Sequence, residues 1–286
     1  MDRLTSSVRI RAFKTEILRE RDATMLVRDN GLLSSLSPED RAIVDPFFQR
    51  VVLRQGQVLF EADHPIPYAY FFLQGLSSEI VSNRDGKKTE VGCTGWEGFS
   101  GVPLVLGVDR TPHRAFMQAG GAAFRISAAE LKAACSLSPA FHRVLLLYTH
   151  VFMIQIAATA LADSRYPVNQ RLARWLLMCS DRLGDELPLT HAFLALMLGV
   201  RRASVTVSTH HLEGVGAIKA ERSLITVRDR AKLERIAGNA YGVPENEYER
   251  LIGQKTREES PEGASEPFMP RLDSIVTGQK KIASKI

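Results

Sequence analysis

"LPLTHAFLALMLGVRRASVTVSTHHLEGVGAI", Leu187–Ile218, parses as two short helices around a glycine turn, followed by the first strand of a hairpin. Thr190 stands where a helix N-cap belongs, and Phe193, Leu194 and Met197 fall on the inward face of the helix it opens. Leu198-Gly199-Val200 makes the bend, where glycine serves a sharp turn between short helices. The second helix is predicted over Arg201–Glu213. It begins with two arginines and then carries mostly small or β-branched residues for two turns. Its apolar pair, Val205 and Leu212, is separated at helical spacing only by Ser208 and Thr209. A helix made for a protein core would bury larger aliphatics. This one suits a narrow groove lined with negative charge.

The predicted outer face presents Arg202, Ala203, Thr206 and His210, with Arg201, Ser204 and Val207 beside it. Small side chains allow close approach to a groove floor, and arginine can make a bidentate contact to a guanine edge. The N–H groups at the helix start can meet phosphate. "AIKAERSLITV" then supplies two short strands, a wing whose Lys219 and Arg222 reach a flanking phosphate. Charge agrees with this reading. Arg165–Arg235 holds 12 Lys/Arg against 7 Asp/Glu, an excess equal to the +5 of the whole chain. His210 and His211 are adjacent, about 100° apart on a helix, and so form no two-ligand metal face.

Upstream, "VLLLYTHVFMIQIAATALA" (Val144–Ala162) is 19 residues without a formal charge. Such a run is weighed as a membrane span. Thr149, His150, Gln155 and Thr159 interrupt it, and Arg143 and Arg165 flank both ends without asymmetry. Phe141, Leu145, Tyr148, Phe152 and Ile156 follow one helical seam, which favours a long helix, 138–166, pairing with its copy in a homodimer. Pro167 ends it, and "NQRLARWLLMCSDRLG" opens the next helix.

Before the long helix, Arg50–Ile126 is a series of short Val-, Leu-, Phe- and Tyr-rich runs. Gly56, Asp63–Pro67, Gly75 and an Asp85–Gly86 hairpin signal punctuate them, which predicts an antiparallel jelly roll. "VGCTGWEGFSGVPLVLG" has a glycine at every third position from Gly92 to Gly101, which is not a dinucleotide fingerprint. Ser37 and Pro38 open a short helix in "LSSLSPEDRAIVDPFF". Residues 1–25 read as a polar arm and 253–286 as a disordered tail.

The 286 residues allow more than one domain, and their 45% hydrophobic and 24% charged content is that of a soluble globular protein. The N-terminal stretch lacks the apolar core of a signal peptide, and Cys93, Cys135 and Cys179 are scattered, so a reducing cytoplasm is expected. No catalytic constellation, phosphate-binding loop or metal spacing is present, so no enzyme, cofactor or metal is expected. His64, His113 and His150 read as ordinary surface or packed histidines.

In order and spacing, "RLARWLL", the helix-turn-helix and the wing resemble the Crp/Fnr superfamily of bacterial transcription regulators. The resemblance implies an α+β fold: an N-terminal antiparallel β jelly roll of the cyclic-nucleotide-binding type (26–135), a long dimerisation helix and a C-terminal winged helix-turn-helix (167–243). Double-stranded DNA, a second copy of the chain, RNA polymerase and an unidentified small-molecule effector are the partners it implies. Arg202 takes the place of the family's base-reading arginine. Ala203 and Val207 stand where readers of the best-known operator carry glutamate and arginine, so the operator differs. In cyclic-nucleotide binders a glutamate holds the ribose and an arginine holds the phosphate. Here the matching stretch offers Glu97, Gly98, Gly101, Arg110 and Arg114, with glycine in the glutamate's place. Control by cyclic AMP in the standard way is therefore not expected. The alternative is a sensor, membrane-attached or deficient in DNA binding, that uses the barrel to bind a small ligand.

Overall fold

The computed structural model describes residues 29–253; the predicted arm at 1–25 and nearly all of the predicted tail lie outside them. Helices α1 (Gly31–Ser34) and α2 (Pro38–Val44) come first. Ser37 caps α2 by accepting from the Asp40 N–H at 3.1 Å, with proline in its first turn.

Eight strands follow: β1 (Gln49–Leu53), β2 (Val58–Phe60), β3 (Tyr68–Phe72), β4 (Leu76–Ser82), β5 (Lys88–Thr94), β6 (Phe99–Ser100), β7 (Arg114–Ala119) and β8 (Gly121–Ser127). They form two antiparallel four-stranded sheets, ordered β1-β8-β3-β6 and β2-β7-β4-β5. The β4–β5 turn contains Gly86 at φ +77°, a left-handed position that glycine adopts without strain. Leu59, Phe60, Tyr70, Phe72 and Met117 are buried in a core cluster of the barrel. A short helix, α3 (Val102–Val105), joins β6 to β7.

Helix α4 (Ala128–Leu137) begins in a capping box between Ser127 and Glu130, and α5 (Pro139–Arg165) runs for 27 residues. By length and composition α5 could cross a membrane. Here one of its faces is built into the protein. Phe141, Leu145, Tyr148 and Phe152 are buried with Phe71 and Phe99 in one cluster, where the Phe99 and Tyr148 rings lie 5.4 Å apart. This corrects the predicted pairing seam, since those residues bind the helix to its own barrel. The outward stripe consists instead of Leu146, His150, Met153, Ala157, Ala160 and Ser164, all exposed.

The rest is α6 (Val168–Leu183), β9 (Glu186–Leu187), α7 (His191–Met197), α8 (Arg202–Gly214), β10 (Ile218–Glu221), β11 (Leu224–Val227), α9 (Arg230–Ala237) and α10 (Val243–Leu251). Strands β10, β11 and β9 form a three-stranded sheet. A single core cluster runs from Leu76, Ile80 and Cys93 of the barrel into Trp175, Leu176, Cys179, Leu198 and Val205. Helix α10 packs back on α5, a return that the sequence reading did not include. Tyr248, Ile252 and Gly253 line the same surface hollow as Asp29 and Gly31.

Candidate nucleic-acid interface

Thr190 caps α7 as its residue type predicts, accepting from the Phe193 N–H at 3.2 Å. Gly199 sits at φ +61°, and the chain bends by 108° between α7 and α8. Val205, Ser208, Thr209 and Leu212 are the buried face of α8. Short hydroxyl residues lie there because α8 packs close to α6 and α7.

Arg201 occupies the N-cap of α8 and offers no side-chain acceptor to the first turn. The Arg202 and Ala203 N–H groups thus receive no side-chain cap, beside two exposed guanidiniums, Arg201 and Arg202. Ala203, Val207 and His210 continue the exposed face, and Val207 is 69% exposed. An apolar side chain held in water on such a face suits contact with a thymine methyl. Thr206 departs from expectation. Its hydroxyl donates to the Arg202 carbonyl at 3.1 Å and lies 3.1 Å from His191 Nδ1, so it is half-buried and engaged within the motif. Ser204 is also half-buried. Burial and the nearby Arg202 charge lower the pKa of His191.

The wing is fixed to α8 by Glu213, whose Oε1 accepts from the Ala220 N–H at 3.1 Å. Lys219 and Arg222 are both exposed. They differ in commitment: Lys219 Nζ pairs with Glu221 at 2.6 Å, while Arg222, at the hairpin tip beside Ser223 (φ +62°), enters no ion pair among the described residues.

Several residues that orient this motif lie outside the helix-turn-helix and the wing. Arg171 donates to the Leu198 carbonyl in the turn and pairs with Asp163 at 2.7 Å. From the barrel, the Thr89 hydroxyl donates to the Met197 carbonyl at 3.3 Å. A Cβ on Gly199 would stand 3.2 Å from that same Thr89 oxygen. Trp175 Nε1 donates to Glu90 Oε1 at 2.8 Å across the same junction.

The five residues predicted for an effector pocket have separate engagements. Glu97 accepts from Arg182 at 2.8 Å. Arg110 pairs with Asp109 at the surface, and Arg114 pairs with Glu61 at 3.1 Å. Gly98 makes room for the Tyr148 ring, which a Cβ there would strike at 2.0 Å, and Gly101 sits at φ +108° before α3. Among the described residues no group of His, Cys, Asp and Glu is placed to hold a metal ion.

Residues 170–236 match the family model of the Crp-like helix-turn-helix domain. The C-terminal segment is a Crp-like helix-turn-helix domain. Around this Crp-like domain the chain has the fold of solved Crp/Fnr regulators. FixK2 from Bradyrhizobium japonicum aligns with TM-score 0.58 at 16% identity, over 67% of this chain and 98% of its own. The c-di-GMP-responsive global regulator CLP of Xanthomonas campestris aligns with TM-score 0.56 at 18% identity, over 67% and 99%. TTHB099, a CRP-family transcriptional regulator from Thermus thermophilus, aligns with TM-score 0.56 at 16% identity, over 66% and 96%. No curated protein matches the chain by sequence. The Crp-like domain thus holds Arg201, Arg202, Ala203, Val207 and His210 on an exposed helix, the wing at its side and the turn packed against the barrel.

Proposed function

We propose that the chain is a cytoplasmic, sequence-specific DNA-binding transcription regulator that acts as a homodimer. One observation carries this reading: the Crp-like domain exposes a helix whose N-terminus has no side-chain cap, with two exposed guanidiniums that enter no ion pair among the described residues and short side chains along one face. That helix enters the major groove, with Arg202 on a guanine edge and Arg222 of the wing on a flanking phosphate. Pairing of α5 through Leu146, Met153 and Ala160, spaced seven residues apart, sets two such helices about one DNA turn apart. Cyclic AMP does not control it in the standard way. Arg114, a candidate for the phosphate arginine, is already paired with Glu61.

The test is selection from a random double-stranded library with the full chain, followed by binding at several salt concentrations. A two-fold-symmetric site should be enriched. Arg202→Ala should cost about 1–3 kcal/mol on that site and relax its sequence preference. Arg222→Ala should weaken specific and random DNA alike and flatten the salt dependence, by more than Lys219→Ala does. Equal losses on both DNAs for Arg202→Ala would remove the base-reading role.

A further inference from the structure

A cavity of about 300 Å³, at the small end of ligand-site sizes, opens where the barrel, α5, the end of α6 and α10 meet. Five aromatic side chains line it: Trp96, Tyr148, Phe152, Tyr241 and Tyr248. Three of their polar tips are already used by the protein. Tyr148 donates to Thr94 Oγ1 at 2.9 Å, Tyr241 to Asp181 Oδ2 at 2.6 Å, and Trp96 Nε1 to the Asp181 carbonyl at 3.1 Å. The rings thus offer mainly carbon surface to an occupant.

The charges around the cavity balance. Arg182, almost wholly buried, is held by Glu97 at 2.8 Å and by the Met178 carbonyl at 2.7 Å. Asp181 pairs with Arg230 at 2.7 Å. Glu245, half-buried on α10, accepts the Gly242 N–H at 3.1 Å and is the foremost counter-charge to the buried Arg174. Three carboxylates thus answer three guanidiniums. A charged occupant of either sign would lose its hydration with no counter-ion left to meet it. A neutral molecule carries no such penalty.

A polar group on the wall still lacks a partner. Gln155, 4% exposed, lines the cavity from α5. Its Oε1 accepts from the Cys93 N–H at 2.7 Å, which fixes the amide and leaves Nε2 as the free end. That nitrogen donates to no group among the described residues. A buried amide without an acceptor costs free energy that an acceptor on an occupant recovers.

We infer that this cavity binds a small neutral aryl carbonyl compound, its ring among the aromatic side chains and its carbonyl oxygen accepting from Gln155 Nε2. Trp96 and Glu97 belong to the barrel, whereas Asp181 and Arg182 fall within the Crp-like match, so occupancy braces one half against the other. That regulatory consequence rests on the regulator reading proposed above, whereas the binding itself does not.

The experiment titrates the full chain with acetophenone, followed by calorimetry and thermal melting. Benzoate and benzamidinium are charged counterparts of similar size, and ethylbenzene has a methylene in place of the carbonyl. Acetophenone should bind saturably and raise Tm, and neither ion should. Gln155→Met keeps the length of the side chain and removes both amide donors. It should weaken acetophenone binding by about tenfold relative to ethylbenzene binding. An unchanged melt without ligand verifies its fold, because the Cys93 N–H loses its acceptor. Should the variant melt early, Tyr248→Leu carries the test, with weaker binding of both neutral probes expected. Absence of saturable acetophenone binding into the millimolar range, equal binding of either ion, or unchanged acetophenone binding to the variant overturns the site. DNA binding measured on the same samples separates the two readings. A chain that binds its operator but not acetophenone refutes the cavity alone, and one that binds acetophenone but no DNA refutes the regulator alone.

Discussion

Glu90 is the residue most at odds with its surroundings. It is buried between β5 and α6, where Oε1 accepts from Trp175 and Oε2 has no hydrogen-bond partner. Burial, opposed by the Trp175 hydrogen bond, raises its pKa from 4.5 to about 7. The folded protein therefore holds this proton more tightly than the unfolded chain does. Its contribution to stability is most favourable below about pH 4.5, declines as pH rises, and reaches its full penalty above about pH 7. Glu90→Gln removes the titration. The variant should gain on the wild type across that window, by on the order of 3 kcal/mol at pH 8. Denaturant unfolding of both proteins at pH 5 and pH 8 measures it, and a pH-independent difference would refute the assignment. Nothing in the sequence distinguished Glu90, since a glutamate in an alternating strand reads as outward-facing. Its burial comes from a domain docked on that strand's outer side.

At the scale of elements, α5 and α8 show what local pattern can and cannot specify. Arg201–Glu213 was legible because its arginines, short side chains and glycine turn have few other uses. The structure places α8 at Arg202–Gly214, with Thr206 as the side chain assigned to the wrong environment. The long helix was legible in extent, predicted at 138–166 and found at Pro139–Arg165, but not in facing. Its apolar residues cover most of its circumference, so periodicity gave no unique stripe. The aromatic seam looked like a pairing face, yet aromatic rings were needed to fill the gap above Phe71 and Phe99. Helix α10, "VPENEYERL", has too few apolar residues to announce packing of its own. The facing is testable. Met153, 61% exposed, lies at the centre of the outward stripe. Met153→Glu should convert a dimer to a monomer by sedimentation without lowering the monomer's melting temperature. It should also reduce affinity for two-fold sites far more than for half-sites, because the linked second contact is lost. A variant that stays dimeric would move the interface elsewhere.

Across the whole molecule, the barrel and the Crp-like domain share one continuous core, so their boundary in sequence near Pro167 is not a boundary in packing. That continuity depends on contacts between distant segments, such as Thr89 with Met197 and Trp96 with Asp181, which a local reading of sequence could not provide. The return of α10 also brings Gly253 to the hollow that holds Asp29 and Gly31. Residues 29 and 253 therefore lie beside one hollow, although they are 224 positions apart in sequence. Residue 253 joined to residue 29 by a short glycine-serine bridge, with new ends cut at the exposed Asp85–Gly86 turn, should give a circular permutant with the same helical content and cooperative melting. Such a permutant would show that the core built by residues 29–253 does not depend on the order in which its elements are joined.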